Sequence, residues 1–223
     1  MELASISTFA VIDDGDEQAL FDRIATALTD QGYIILAAAL APDLIDALAI
    51  HFLSIDQNDF KAAGIGKEHH QVNRFVRNDK IYWLDPDNTV VQAYLSWTEK
   101  LRLGLNRRLF LGLFDYECHY AYYPVGAFYK KHVDAFKGAP NRVVSSVLYL
   151  NPQWAPHDGG ELLLYAAKGR QPIATIIPYY GMMVLFLSQK FPHEVRCAGK
   201  PRYSLAGWFR LNGSTSRTLD PPR

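Results

Sequence analysis

His132 and Asp134 stand two residues apart in the chain. Alternate side chains of an extended strand share a face, so this spacing aims one imidazole and one carboxylate at a single point. His193, within Phe191-Pro-His-Glu-Val195, offers a third donor. Two histidines and one carboxylate with open coordination positions form the donor set of mononuclear non-haem Fe(II) centres that activate O2. The open positions matter as much as the ligands, because a cosubstrate and O2 must both reach the metal. Zinc accepts the same three donors. His69 and His70 are adjacent and have no carboxylate at a useful spacing, so a loop is expected there rather than a metal site. His157 and Asp158 fall in a loop set by Pro156 and the Gly159–Gly160 pair, and are not expected to bind metal either.

Two further residues bear on what else the site takes. Residues 142–150 are long enough for a central strand, with Val143, Ser145, Val147 and Tyr149 on one face. Residues 202–211 place Arg202, Ser204, Ala206 and Trp208 on one face. The turn at 199–201 breaks the alternation, so His193 and Arg202 can face the same cavity. An arginine is ordinarily a surface ion-pairing residue. At the edge of an apolar cavity its rigid fork suits a dicarboxylate, through bidentate charge-assisted hydrogen bonds. Tyr149 by itself reads as a core residue, though its buried hydroxyl would want a partner.

The elements that must position these residues change texture along the chain. Residues 13–29 read as a helix, with Asp16 as its cap and Leu20, Phe21, Ile24, Ala27 and Leu28 at helical spacing. Gly32 ends it, and residues 33–36 read as a short strand. A second helix begins at 41–44, and its apolar positions, Ile50 and Leu53 among them, predict packing over most of its surface. Residues 76–84 read as a strand or hairpin and 85–88 as a turn. Residues 90–109 predict a third helix that Gly104 weakens in its second half. After Gly112, short apolar runs at 117–122, 128–132, 142–150, 162–165, 175–178, 182–187 and 202–211 are separated by Gly, Pro and Asn. That pattern predicts a many-stranded sandwich or barrel such as a jelly roll, with the helices packed outside it.

Composition bounds the function class. The 223 residues carry 23 basic and 23 acidic side chains, for a formal net charge of zero. Neither nucleic acid nor an anionic membrane is expected as the main partner. Cys118 and Cys197 are too few for a disulfide framework or zinc cluster and read as small core residues. Sparse cysteine usage and an N-terminus without a basic-then-apolar leader predict a cytoplasmic protein.

Taken together, His132-Val-Asp134, His193 and Arg202 resemble the Fe(II)/2-oxoglutarate-dependent dioxygenase superfamily. The closer resemblance is to the prolyl 4-hydroxylases, specifically the animal oxygen-sensing enzymes and their bacterial relatives. It is carried by Tyr123-Pro-Val-Gly-Ala-Phe-Tyr129, Lys131-His-Val-Asp134, Tyr149-Leu-Asn151, Gly159-Gly-Glu-Leu162, Pro192-His-Glu-Val195, Pro201-Arg-Tyr203 and Val76-Arg-Asn-Asp-Lys-Ile-Tyr-Trp83. It implies a mainly β chain with N-terminal helices: a double-stranded β-helix (jelly-roll) core at 112–211, a mainly helical support at 1–111, and a lid at 60–79, all in one catalytic domain.

The resemblance also implies roles. His132, Asp134 and His193 hold Fe(2+). Arg202 grips the distal carboxylate of 2-oxoglutarate, helped by Tyr149, while Tyr123 lies near the cosubstrate's chelating end and Tyr129 and Leu162 line its pocket. Arg77, Asp79, Arg142 and Trp208 fall on the substrate side. L-ascorbate would serve as reductant. The implied reaction hydroxylates a prolyl residue of a protein while 2-oxoglutarate and O2 give succinate and CO2, and elongation factor Tu is the implied target. Another protein residue or a small molecule is the alternative substrate, and a non-catalytic binding jelly roll is the competing class. Ala206 departs from the animal enzymes, which carry a threonine there. Arg202 departs from the collagen-type enzymes, which use lysine.

Overall fold

In the computed structural model, which describes residues 14–64, 75–134 and 141–214, three helices precede most of the strands. Helix α1 spans Asp14–Asp30, α2 Pro42–Ser54 and α3 Thr89–Leu109. Asp16 thus lies inside α1 rather than capping it. The α3 start is fixed by Asn88, whose side chain accepts from the Val90 and Val91 amides at 2.9 and 3.2 Å. Helix α3 runs unbroken through Gly104 despite that residue's propensity cost. A Cβ there would stand 2.7 Å from Phe21 Cδ2, so the glycine is the seat into which α1 packs its aromatic ring. On α2, Leu44, Ile45, Leu48 and Phe52 are buried, but Ile50 and Leu53 are exposed, so only one stripe is packed and not most of the surface.

Eleven strands follow or interleave: β1 Tyr33–Leu36, β2 Lys61–Ala62, β3 Lys80–Trp83, β4 Asp115–Tyr123, β5 Tyr129–His132, β6 Arg142–Tyr149, β7 Leu162–Tyr165, β8 Pro172–Ile176, β9 Met183–Leu187, β10 His193–Val195 and β11 Arg202–Arg210. They form a seven-stranded sheet in the order β1-β9-β6-β11-β4-β3-β2 and a four-stranded sheet in the order β5-β10-β7-β8, antiparallel throughout. This is the jelly roll that the run of short strands predicts. Residues 1–111 supply more than helices, since β1, β2 and β3 all extend the larger sheet. The 3-10 turn at Pro156–Asp158 joins β6 to β7.

The large sheet buries side chains on both faces because each face meets a different partner. Outward-facing Tyr116, Tyr120, Val144, Leu148, Leu185, Leu205 and Phe209 form one core with the helices. Inward-facing Ala121, Tyr123, Tyr149, Val184 and Phe186 form a second core with Leu162, Leu164 and Val195 of the small sheet. Strand β9 shows the alternation cleanly: Met183 and Leu185 go to the helical core, Val184 and Phe186 to the inter-sheet core. That double burial is why it reads as a continuous apolar run. Cys118 is buried as expected, whereas Cys197 is exposed. His69 and His70, residues 135–140 and the 65–74 portion of the 60–79 segment lie outside the described residues.

Candidate metal and cosubstrate site

The pairing of β5 with β10 builds the metal centre. His132 and His193 are direct partners in that antiparallel register, so both imidazoles leave the sheet on one face. Asp134 follows two residues after His132, just past the end of β5. One ligand atom from each of the three lies within 4.8 Å of the others. His132 Nε2 is 3.5 Å from Asp134 Oδ1, and His193 Nε2 is 3.5 Å from Asp134 Oδ2.

Each ring is held by its other nitrogen. His132 Nδ1 meets the Lys130 carbonyl at 2.8 Å and His193 Nδ1 meets the Phe191 carbonyl at 3.0 Å. A carbonyl only accepts, so each Nδ1 carries a proton, and Nε2 is the atom that faces Asp134 and that a metal would take from the neutral ring. The carboxylate is also fixed. Ser145 Oγ donates to Asp134 Oδ2 at 2.6 Å, and Ser188 Oγ lies 2.9 Å from Ser145 Oγ. Burial pushes the Asp134 carboxyl up, but the His193 charge and the bonds from both histidines outweigh it and hold it well below the usual carboxylate range. Burial lowers His132, with His193 adding to the effect. Burial also lowers His193, yet Asp134 overcomes it and raises the ring.

Arg202 and Tyr149 make a second polar feature in the inter-sheet space. Arg202 is 1% exposed. Its Nε donates to the Gly160 carbonyl at 2.9 Å and its Nη1 to Ser204 Oγ at 3.2 Å. Gly160 sits at φ 68°, and a Cβ there would press within 3.1 Å of both Arg202 and Trp154. The glycine pair therefore brings a backbone acceptor against the guanidinium. No carboxylate among the described residues pairs with Arg202, which sets it apart from an ordinary ion-paired arginine. Its guanidinium carbon lies 4.8 Å from the Tyr123 ring centroid and 5.1 Å from that of Tyr149. Among the described residues the buried Tyr149 hydroxyl meets no partner at full hydrogen-bond geometry, although the Arg202 guanidinium lies close enough to act on it. Burial pushes that hydroxyl up to about 12 against the charge and the donor hydrogens of Arg202. A buried cation without a counter-ion beside a poorly satisfied buried hydroxyl is costly unless an anion completes it. Leu162 lines the same core, opposite Val195.

The remaining expected residues fall in two groups. Arg142 pairs with Glu117 at 2.7 Å and lies over the Trp208 ring at 3.7 Å, so its charge is shared within the protein. The Trp208 indole N–H is buried without a hydrogen-bond partner among the described residues. Arg77 forms a two-pronged ion pair with the buried Asp79, at 2.7 and 2.5 Å, and lies over Tyr129. Reading the sequence alone misses Ser145, Ser188, Glu117 and His119. Ser145 carries a faint signal, as a polar residue on the Tyr149 face of an apolar strand. The other three carry none, because only strand pairing reveals that Glu117 and His119 face Trp208 and Ala206. His119 is buried between Trp83 and Trp208, with ring centroids at 5.2 and 5.4 Å.

Similarities to known proteins accord with this geometry. The family described as the 2OG-Fe(II) oxygenase superfamily matches residues 118–210, which contain the triad, Tyr149 and Arg202. A crystal structure of a Pseudomonas putida prolyl-4-hydroxylase is 40% identical, with a TM-score of 0.78, over 86% of this chain and 99% of that one. Human prolyl hydroxylase EGLN3 is 29% identical over 66% of this chain and 62% of its own length. A Trichoplax adhaerens prolyl hydroxylase, solved with a hypoxia-inducible-factor degradation-domain peptide, shares the fold at 24% identity and a TM-score of 0.80, over 91% of this chain and 94% of that one. The chain spans between 38% and 62% of the length of the human relatives it matches. Among the described residues no helix is long and apolar enough to cross a membrane.

Proposed function

Because this chain belongs to the prolyl hydroxylase branch of the 2-oxoglutarate–Fe(II) oxygenases, we propose that it is an Fe(II)- and 2-oxoglutarate-dependent protein prolyl 4-hydroxylase. The observation that carries the reading is Arg202: a buried guanidinium with no acidic partner among the described residues, beside the buried Tyr149 hydroxyl, which meets none of those residues at full hydrogen-bond geometry. A cosubstrate with a free carboxylate satisfies both groups at once. Zinc hydrolysis leaves both unexplained.

His132, Asp134 and His193 would hold the iron, which when bound would let O2 act as the oxidant, one oxygen atom going to an unactivated C–H and the other to the succinate formed with CO2 from 2-oxoglutarate. The protein's own residues do the rest. The Lys130 and Phe191 carbonyls fix the two imidazole tautomers, and Ser145 fixes the carboxylate. Arg202 and Tyr149 set the cosubstrate's orientation from its far end. Tyr123 and Leu162 wall the pocket and exclude water. Trp208, Arg142 and Arg77 lie on the substrate side, with Asp79 buried behind Arg77. No side chain is asked to act as acid or base in the hydrogen abstraction.

A prolyl residue of elongation factor Tu is the first target to test. The experiment is intact-mass analysis of elongation factor Tu after incubation with anaerobically iron-loaded enzyme, 2-oxoglutarate, L-ascorbate and O2. Gain of one oxygen atom on a proline, absent when 2-oxoglutarate is withheld, is the expected result. Succinate production without that gain keeps the oxygenase and moves the search to other proteins. Absence of both Fe(II) and 2-oxoglutarate binding overturns the reading in favour of a non-catalytic jelly roll.

A further inference from the structure

One face of the metal centre is braced by a stack that begins outside the jelly-roll core. Asp79 is buried, with its side chain fully shielded, and it holds Arg77 through two hydrogen bonds. The Arg77 guanidinium carbon lies 4.1 Å from the centroid of the Tyr129 ring. That ring stacks on the His132 imidazole with centroids 3.5 Å apart and an interplanar angle of 13°. Two groups this near one centroid cannot occupy the same face, so Tyr129 is sandwiched between a cation and an imidazole. Backbone contacts hold the arrangement in register: an isolated β-bridge joins Arg77 to Tyr129, and Lys130 N donates to the Val76 carbonyl at 2.8 Å.

His132 needs this support more than its partner does. His193 is buried, has the edge of Phe186 against it at 4.8 Å, and sits in the middle of the small sheet between β5 and β7. His132 ends an edge strand and keeps 17% of its side chain exposed. Its Nδ1 bond to Lys130 allows the ring to swing about that bond, and a stacked neighbour removes the swing. The ring of Tyr129 suffices for stacking, and the positive charge over its far face strengthens the sandwich.

We infer that Arg77 and Tyr129 are positioning residues for the metal ligand His132, with Asp79 anchoring the stack, in addition to any contact they make with substrate. The inference rests on the reading of His132 as an iron ligand.

The test measures metal, not turnover. Fe(II) affinity is determined by anaerobic equilibrium dialysis of the metal-free protein, and the visible absorption of the Co(II)-loaded protein reports ligand geometry. Tyr129→Leu should weaken Fe(II) binding about tenfold, the lower end of what lost outer-shell support costs a metal site, and should shift the Co(II) spectrum. Tyr129→Phe keeps the ring and should restore both. Arg77→Lys keeps a charge for Asp79 but loses the planar guanidinium, and should weaken binding by about threefold, between wild type and Tyr129→Leu. Wild-type affinity and an unchanged Co(II) spectrum in Tyr129→Leu would overturn the inference. If Tyr129→Leu lacks a cooperative thermal transition, Arg77→Lys decides, and its unaltered binding overturns the inference equally. A wild-type protein that binds no Fe(II), or His132→Ala protein that binds it as well as wild type, defeats instead the ligand assignment beneath it.

Discussion

Ser145 Oγ donates to Asp134 Oδ2 at 2.6 Å, across from the large sheet to the end of β5. The bond ties the large sheet directly to a member of the triad. Ser145 is itself held by Ser188, so the carboxylate is oriented by a two-hydroxyl chain buried on the inner face. Removing the Ser145 hydroxyl leaves Asp134 Oδ2 free to rotate away from the histidines. Ser145→Ala should therefore weaken Fe(II) binding about 10- to 100-fold, the usual cost of losing an outer-shell partner. Anaerobic dialysis against Fe(II) checks it. An unchanged affinity would mean that the histidine contacts alone orient Asp134.

Tyr149→Phe separates cosubstrate binding from stability. The hydroxyl meets no described residue at full hydrogen-bond geometry, so its removal deletes a poorly satisfied buried group. Urea unfolding without cosubstrate should show the variant as stable as wild type or slightly more so. In contrast, 2-oxoglutarate binding should weaken by about tenfold, for one lost hydrogen bond to a charged acceptor at about 1.5 kcal/mol. If affinity is unchanged, the carboxylate is held by Arg202 without Tyr149.

Gly104→Ala tests how tightly the helices support the sheet. Helix propensity alone favours alanine by about 1 kcal/mol. The added Cβ would stand 2.7 Å from the Phe21 ring, which is 1% exposed and walled by Trp97, so the ring has little room to yield. Overpacking of this kind costs about 1–3 kcal/mol, and the clash should win. A lower denaturation midpoint for Gly104→Ala at unchanged m-value is the expected result. A higher midpoint would show that Phe21 repacks freely.

Those three positions also mark what the chain discloses unaided. The His132-Val-Asp134 spacing and the alternation of 142–150 and 202–211 are local, so residue spacing by itself puts His132, Asp134, Tyr149 and Arg202 on usable faces. Strands β1 and β7 are legible to the residue because turn residues bracket them. Strand β10 is not: three residues carry too little periodicity, and its pairing with β5 is what makes it a strand. Gly104 misleads because propensity describes an isolated helix, whereas Phe21 arrives from elsewhere. Ile50 and Leu53 mislead in the opposite sense, since apolar character alone does not create a partner. Glu117 and His119 become visible only when β4 is set against β11. The chain records side-chain type, but the register between distant strands decides which side chains meet.

His119 gives the last prediction, because its environment sets a sign. Its Nδ1 meets the Tyr120 carbonyl at 3.2 Å, and two tryptophan rings flank it. Burial lowers its pKa to about 4, with the Arg77 and Arg142 charges adding to the effect against Asp79. In the unfolded chain an imidazole titrates near about 6.5. Above that pH the ring is neutral in both states and contributes no pH dependence. Below it the unfolded chain takes up a proton that the folded chain refuses, so stability falls as pH drops from about 6.5 toward about 4. The loss amounts to about 2 kcal/mol by about pH 5, from about 1.4 kcal/mol per pH unit. His119→Gln cannot charge and should escape this loss. Urea unfolding of both proteins at about pH 7.5 and about pH 5 measures it, and the gap between them should move by about 2 kcal/mol in favour of the variant. A gap that stays constant would mean that the folded protein protonates His119 as readily as the unfolded chain does.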